Sequence, residues 1–226
     1  MLVKNWMSKK VITVNADDSM YIATQKLKEN NINILPVMKD DKLVGIITDR
    51  DLKRASASDA TTLEIHELLY AISRIKVREI MTKNPITVSP DFTVEETAEI
   101  LLNNRISGVP VEDEKNKVVG VITKTDLFKV LISLTGISKS GIQFAFLLED
   151  RPGSIKDVAD IIRKHGARMV SILSTYDEVQ EGYRKVYIRI YDIEHPKLQD
   201  LKEELQKDFK VLYMVDLREN RREIYG

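Results

Sequence analysis

One strand-to-helix junction is written twice in this chain. Gly45-Ile46-Ile47-Thr48-Asp49-Arg50-Asp51-Leu52 reads GIITDRDL, and residues 120–127 read GVITKTDL, with glycine, threonine, aspartate and leucine in the same places. Extending backwards at an offset of 74, Met7-Ser8-Lys9 meets Met81-Thr82-Lys83, and Ile12-Thr13-Val14 meets Ile86-Thr87-Val88. Asp17 meets Asp91, Leu27 meets Leu101, and Pro36-Val37 meets Pro110-Val111. One residue is gained between 38–42 and 112–117, in a polar turn whose length can drift. Such self-similarity implies two copies of one supersecondary unit.

Each copy reads as strand, helix, two strands, helix. Short strands are expected at 12–14 and 86–88. Ser19 and Thr93 are candidate helix caps, the second with Glu96 completing a capping box. In the second copy Val94, Thr97, Ala98, Leu101 and Leu102 fall at helical spacing. Hairpins follow, 35–38 with 42–47 and 109–111 with 118–122, and a last helix begins after Thr48 or Thr123. One copy is too small to bury a core alone, so the two must pack together.

The repeated junction has two readings. Thr-x-x-Asp after a strand is a capping box, with Thr48 or Thr123 at the helix start and Asp51 or Asp126 closing it. The same place suits a nucleotide. A helix N-terminus attracts phosphate, and a carboxylate beside it accepts from ribose hydroxyls. Arg50 and Lys124 add positive charge toward a polyphosphate. The two roles are compatible.

Composition excludes several classes. Thirty-five basic residues balance thirty-five acidic ones, whereas polyanion binders usually carry a basic surplus; nucleic acid is not an expected partner. With no cysteine there are neither disulfides nor thiolate metal sites. No apolar run is long enough for a membrane span or signal peptide, and the expectation is a soluble, cytoplasmic protein. With three histidines, no cysteine and no GxxxxGK[ST] loop, no catalytic or metal site assembles from the motifs.

The paired motifs hydrophobic-Pro-Val, polar turn, Val-Gly-h-h-Thr-x-x-Asp-Leu, spread over residues 1–135, resemble a tandem CBS-domain pair, or Bateman module. That resemblance implies two copies stacked head to tail about a pseudo-twofold axis. It also implies two clefts for adenosyl ligands such as AMP, ADP, ATP, S-adenosylmethionine or dinucleotides. Carried over by position, Thr48 and Asp51 face Asn84, Ile86, Ile106 and Ser107. Thr123 and Asp126 face Lys10, Ile12, Ile32 and Asn33. Arg105-Ile106-Ser107-Gly108 stands where the first copy has Asn31-Ile32-Asn33-Ile34, so the clefts are expected to differ.

Between the copies, Leu68, Leu69, Ile72 and Ile75 suggest a connector helix, and His66 lacks a second histidine for a metal site. The stretch HELLYAISRIKVREIMTKNPITV resembles the acetoin-utilisation protein B family, whose members carry a CBS pair followed by an ACT domain.

After the glycine- and serine-containing linker 136–141, the character changes. Ile142, Phe144, Phe146 and Leu148 alternate as in a strand. Asp150-Arg151-Pro152-Gly153-Ser154 is a turn, with Ser154 the expected cap of a helix facing inward through Ile155, Val158, Ala159 and Ile162. Strands at 168–175 and 183–191, a helix with Leu198, Leu201 and Leu205, and a strand at 209–217 complete a ferredoxin-like βαββαβ order. DRPGSI resembles the ACT domain, which implies amino-acid binding between paired copies, with Asp150, Arg151, Pro152 and Gly153 near the ligand or partner chain. On the residues alone this is a tight turn needing Pro and Gly. The arginine-bearing tail 218–222 reads as a solvated end.

The expected fold is therefore α/β (α+β), a tandem CBS pair plus a C-terminal ACT domain, with boundaries 1–76, 77–136 and 140–218. The expected function is non-catalytic regulation. An adenine nucleotide, the regulatory ligand in place of any cofactor, binds between the CBS motifs, and a dimerising ACT domain relays this to an unidentified target protein. The family likeness points to acetoin or carbon metabolism, and a homodimer is expected. The alternative is a structural dimerisation module with no bound nucleotide.

Overall fold

The computed structural model describes residues 1–59 and 73–225. His66 and the connector positions Leu68, Leu69 and Ile72 lie outside the described residues. The chain divides into two compact units, Met1–Phe128 and Lys129–Gly226, with the division inside the helix Lys124–Thr135.

In the first unit, β1 (Val14–Asn15), β2 (Ile34–Lys39), β3 (Lys42–Thr48) and β4 (Thr82–Lys83) form one sheet in that order. The second copy contributes the hairpin β5 (Gly108–Glu112) and β6 (Val118–Thr123). The hairpins share a register, Ile34 opposite Thr48 and Gly108 opposite Thr123, and both shift after the same position, Val37 or Val111. Their turns differ as the sequence suggested. Asp40 and Asp41 both take positive φ, the backbone of a two-residue hairpin turn. In the longer turn Asp113 Oδ1 accepts from the amides of Lys115 and Lys117, and Asn116 alone has positive φ.

The preceding helices, Met20–Glu29 and Val94–Asn103, start at Ser19 and Thr93. Ser19 Oγ accepts from Ile22 N–H at 3.4 Å. Thr93 forms the reciprocal box, accepting from Glu96 N–H at 3.1 Å while its own amide donates to Glu96 Oε2 at 2.7 Å.

The strands expected at 12–14 and 86–88 are shorter than their apolar pattern suggested. The first is Val14–Asn15, and the second is only a parallel bridge between Val88 and Val111. Val88 N–H donates to Pro110 carbonyl, and Glu112 N–H donates back to Val88. One step earlier along each ladder the donor would be Pro36 or Pro110, which have no N–H. Pairing stops there.

Each copy's leading segment packs on the other copy. Val3 N–H donates to Phe92 carbonyl, Leu2 bridges Thr93, and Ser8 bridges Val121. Val3 is buried with Val88, Leu101, Val109, Val111 and Ile122. Reciprocally, Val77 joins the first core with Val14, Met20, Leu35, Val37 and Ile47, and β4 pairs with Gly45 and Ile46. The glycines of the repeated motif belong to this exchange. A Cβ on Gly45 would lie 2.4 Å from Met81 Sδ, and one on Gly120 would lie 2.3 Å from Met7 Sδ. Methionine 7 and methionine 81 are thus seated in notches that only glycine leaves open.

The second unit is one antiparallel sheet in the order β11-β10-β7-β9-β8. Its strands are β7 (Ile142–Glu149), β8 (Arg168–Thr175), β9 (Tyr183–Tyr191), β10 (Lys210–Asp216) and β11 (Arg221–Ile224). With the helices Ser154–Lys164 and His195–Asp208, strands β7 to β10 make the split βαββαβ arrangement. Ile142, Phe144, Phe146 and Leu148 pack with Val186, Ile188 and Ile190 against Val158, Ile162, Leu201 and Leu205. The tail read as a solvated end instead supplies β11, an edge strand that follows a turn with Asn220 at positive φ. Ser154 is also not a cap. Gly153, at φ 89°, holds the cap position, and buried Ser154 accepts from Arg184 Nη2 at 3.0 Å.

Candidate functional site

The main cavity of the first unit, about 810 Å³, lies where the two copies face each other. From the first junction it takes Thr48, Asp49, Arg50, Asp51, Lys53 and Arg54. From the second copy come Asn84, Pro85, Ile86, Arg105, Ile106, Ser107, Gly108, Val109 and Lys124.

The junction builds its own geometry first. Thr48 N–H and Oγ1–H donate to Asp51 Oδ2 at 2.9 and 2.6 Å, and Asp51 N–H donates to Thr48 Oγ1 at 3.3 Å. One carboxylate oxygen therefore holds the start of the helix Asp49–Asp59. The other, Oδ1, is 4.0 Å from the Arg54 guanidinium, and the side chain is 16% exposed. Capping through one oxygen and a place in the cavity wall coexist in one aspartate.

The helix start adds partial positive charge to the cavity. Five basic side chains, Arg50, Lys53, Arg54, Arg105 and Lys124, line it against two acidic ones, Asp49 and Asp51. Asp49 is paired with Lys53 at 2.6 Å. Part of its wall is apolar, with Ile34, Ile46, Pro85, Ile106 and Val109, and with Ile86 left 41% exposed. Asn84, at φ 48°, and Arg105, at φ 54°, turn the backbone at this wall. Cationic groups, a carboxylate and apolar side chains in one cavity together offer contacts for phosphate, sugar and base.

Thr48, Arg50, Asp51, Asn84, Ile86, Ile106, Ser107 and Lys124 are thus brought into one cavity. Thr123, Asp126, Lys10, Ile12 and Ile32 are not part of its wall. Thr123 N–H and Oγ1–H donate to Asp126 Oδ2 at 3.0 and 2.8 Å, and Asp126 is 7% exposed. Ile12 and Ile32 pack against the first core, and Lys10 is exposed. Asn33, expected opposite Asp126, lines the cavity with Asp51. Its carbonyl accepts from Asp49 N–H at 3.2 Å, as Ser107 carbonyl accepts from Lys124 N–H at 2.9 Å. The hairpin register fixes this, since Ile34 lies opposite Thr48 and Asn33 is the next residue back.

Lys53, Arg54 and Thr82 also line the cavity and were not picked out from sequence. The i, i+4 spacing of Arg50 and Arg54 was a signal for the second of these. Thr82 is visible only once β4 is known to pair with β3.

In the second unit, Asp150 accepts from Tyr176 Oη–H at 3.3 Å and lies 3.6 Å from Arg184 Nε. Arg151 donates to Asp157 at 2.8 Å, and Pro152 and Gly153 complete an exposed turn. Among the described residues, no group of three or more His, Cys, Asp or Glu is placed to hold a metal ion. No helix among them is long and apolar enough to cross a membrane.

The CBS domain family matches residues 3–58 and 77–133, half of the chain. The chain belongs to the CBS domain family and carries the domain as a tandem pair. A CBS domain-containing protein of Dictyostelium discoideum is 37% identical over 135 residues, 59% of this chain and 93% of that protein. Homoserine O-acetyltransferase of Methanosalsum zhilinae is 38% identical over 130 residues, 57% of this chain but 24% of the enzyme, so the likeness spans about a quarter of that relative. Among solved structures, the CBS domain pair of protein MJ0100, in complex with 5′-methylthioadenosine and S-adenosyl-L-methionine, is 36% identical with a TM-score of 0.50. That likeness covers 58% of this chain and 99% of the other.

Proposed function

We propose that the CBS pair is a non-catalytic sensor of an adenosyl ligand, an adenine nucleotide or an S-adenosyl compound, held in the cavity beside Thr48 and Asp51. Asp51 Oδ1 accepts from the ribose hydroxyls. Ile86 and Ile106 stack against the base, with Asn84 and Ser107 at its edge. Arg50, Arg105 and Lys124 meet the charged end of a nucleotide. The observation that carries this is the meeting of Asp51 with cationic and apolar walls in one cavity of about 810 Å³. The adenosyl ligands of the similar MJ0100 pair support the ligand class.

For regulation the ligand must favour one arrangement of the two copies, and the coupling must be reciprocal. We assign the relay to the second unit, read as an ACT domain on its βαββαβ order and its DRPGSI turn, with Asp150, Arg151, Pro152 and Gly153 facing an amino acid or a second copy. A homodimer fits the apolar side chains Phe128, Leu131 and Ile132, exposed at i, i+3 and i+4. The place in acetoin or carbon metabolism follows the family likeness of residues 66–88. Thr123, Asp126, Lys10, Ile12 and Ile32 belong, in this reading, to a second and weaker ligand position, while Asn33 goes with the first.

A structural dimerisation module is the competing reading, favoured by the completed Thr-Asp capping bonds in both copies. Thermal unfolding and calorimetric titration of the full chain with AMP, ADP, ATP, S-adenosylmethionine and 5′-methylthioadenosine separate the two. A ligand at 100 times its dissociation constant adds about 2.7 kcal/mol of stability. Absence of both heat and shift with all of them overturns the sensor and leaves the scaffold.

A further inference from the structure

The sheet of the second unit has a face turned away from its helices, and there the side chains do not follow the usual solvent-facing pattern. Gln143, Ser171, Leu173, Tyr187, Arg189 and Tyr213, with Thr135, enclose a cavity of about 290 Å³. Ligand clefts begin at roughly this size, ~300 Å³. At its floor lies a guanidinium that is almost wholly buried, with Arg189 4% exposed.

The environment of Arg189 is unusual for a buried cation. Nε donates to Thr135 carbonyl at 2.8 Å, Nη1 to Ser140 carbonyl at 3.4 Å, and Nη2 to Gln143 Oε1 at 2.5 Å. All three acceptors are uncharged. Burial lowers the Arg189 pKa below its ordinary value, which is the signature of a cation short of compensation. Carbonyl dipoles at the end of the helix Lys124–Thr135 offset part of the charge. Buried charges are ordinarily paired, and no carboxylate lines this cavity.

Ser171 Oγ has its proton committed to Thr135 carbonyl at 3.0 Å, and the further free donors are those of Arg189 and the two tyrosines. A guanidinium has about five N–H donors, so two of those on Arg189 have no protein acceptor among the described residues. Tyr213 Oη accepts from Gln143 Nε2 at 3.2 Å and keeps its own proton to give; burial, then the neighbouring Tyr187, raises its pKa. Tyr187 stands beside it, ring centroids 6.4 Å apart, and its hydroxyl makes no hydrogen bond among the described residues. Leu173 and the two rings supply an apolar side. The cavity thus presents a fork of N–H groups and two phenolic O–H groups, with no acceptor of matching charge.

We infer that this cavity is a binding site for a small organic monocarboxylate, its carboxylate held by Arg189, Tyr187 and Tyr213 and its short carbon chain lying against Leu173. The fork geometry of guanidinium matches a carboxylate, and the volume limits the ligand to about three to five carbons. The site is separate from the DRPG turn and from the cavity between the CBS copies, and it does not depend on the nucleotide reading.

The test uses the full chain with sodium butyrate as probe, butyramide as its uncharged counterpart and inorganic phosphate as a second anion, read by calorimetry and ligand-detected NMR. Butyrate is expected to bind saturably at millimolar concentration, with butyramide and phosphate at least about tenfold weaker. Tyr187→Phe should weaken butyrate about tenfold while leaving the unfolding midpoint in place, because that hydroxyl has no hydrogen-bond partner among the described residues. Arg189→Lys should weaken it further; if that variant does not fold, Tyr187→Phe alone decides. No saturable butyrate binding up to about 50 mM overturns the proposal. So does equal binding of butyramide or phosphate, or unchanged butyrate affinity in Tyr187→Phe.

Discussion

Thr48 with Asp51 and Thr123 with Asp126 make the same pair of hydrogen bonds, 2.9 and 2.6 Å in the first copy, 3.0 and 2.8 Å in the second. Their surroundings part company. Asp51 stands in the wall of the large cavity, while Asp126 is closed in and absent from that wall. A repeated motif therefore copies the start of a helix, but the room in front of it is decided by the opposing copy. The copies also differ at Ile34 and Gly108, equivalent positions that meet each other and both line that cavity. A Cβ on Gly108 would lie 3.0 Å from Ile34 Cδ1 and 2.8 Å from Ile122 carbonyl. Where a twofold relation brings a position against its own counterpart, two bulky side chains cannot both fit. One copy keeps the isoleucine and the other gives up its side chain.

The strongest way to break this comparison is to remove the two aspartates separately. Asp51→Ala should weaken the adenosyl ligand by about 100-fold, the loss expected for two hydrogen bonds to a charged acceptor. Asp126→Ala should change affinity less than about threefold and act on stability instead, by about 1 kcal/mol as a lost cap. Calorimetric titration beside urea unfolding reads both; equal loss of affinity would mean that the clefts are equivalent after all. Next come the methionine notches. Gly45→Ala and Gly120→Ala should each destabilise by about 1–3 kcal/mol through overpacking. Gly45 should suffer more, because its added Cβ also meets Thr82 carbonyl at 3.0 Å. The smallest contrast is between the caps. Thr93→Ala should cost about 1 kcal/mol and Ser19→Ala about half that, since Thr93 is held by a reciprocal box and Ser19 by one long hydrogen bond. Urea midpoints at constant slope check both pairs.

Local pattern made much of this legible. The duplicated hairpins, the helix starts and the βαββαβ order of the second unit follow from periodicity, turn residues and capping chemistry, all of which act within a few positions. What escaped was long-range. Nothing adjacent to Met7 announces that it belongs beneath Gly120, and the parallel strands were over-extended because the missing donor sits on another strand, at Pro36 and Pro110. Asn33 was assigned to the wrong side because a residue one step before a strand pair can border either face. Arg189 falls at an outward position of an alternating strand, and the carbonyls of Thr135 and Ser140 that receive its guanidinium lie about fifty residues away in sequence.

The exchanged leading segments make the tandem pair indivisible. Its opening residues complete the later half, and the piece joining the halves completes the earlier one. Severing the chain between the two copies would hand each fragment the wrong lid, with a methionine lacking its notch and a notch lacking its methionine. Each hairpin is thus seated against a segment that belongs to the other copy.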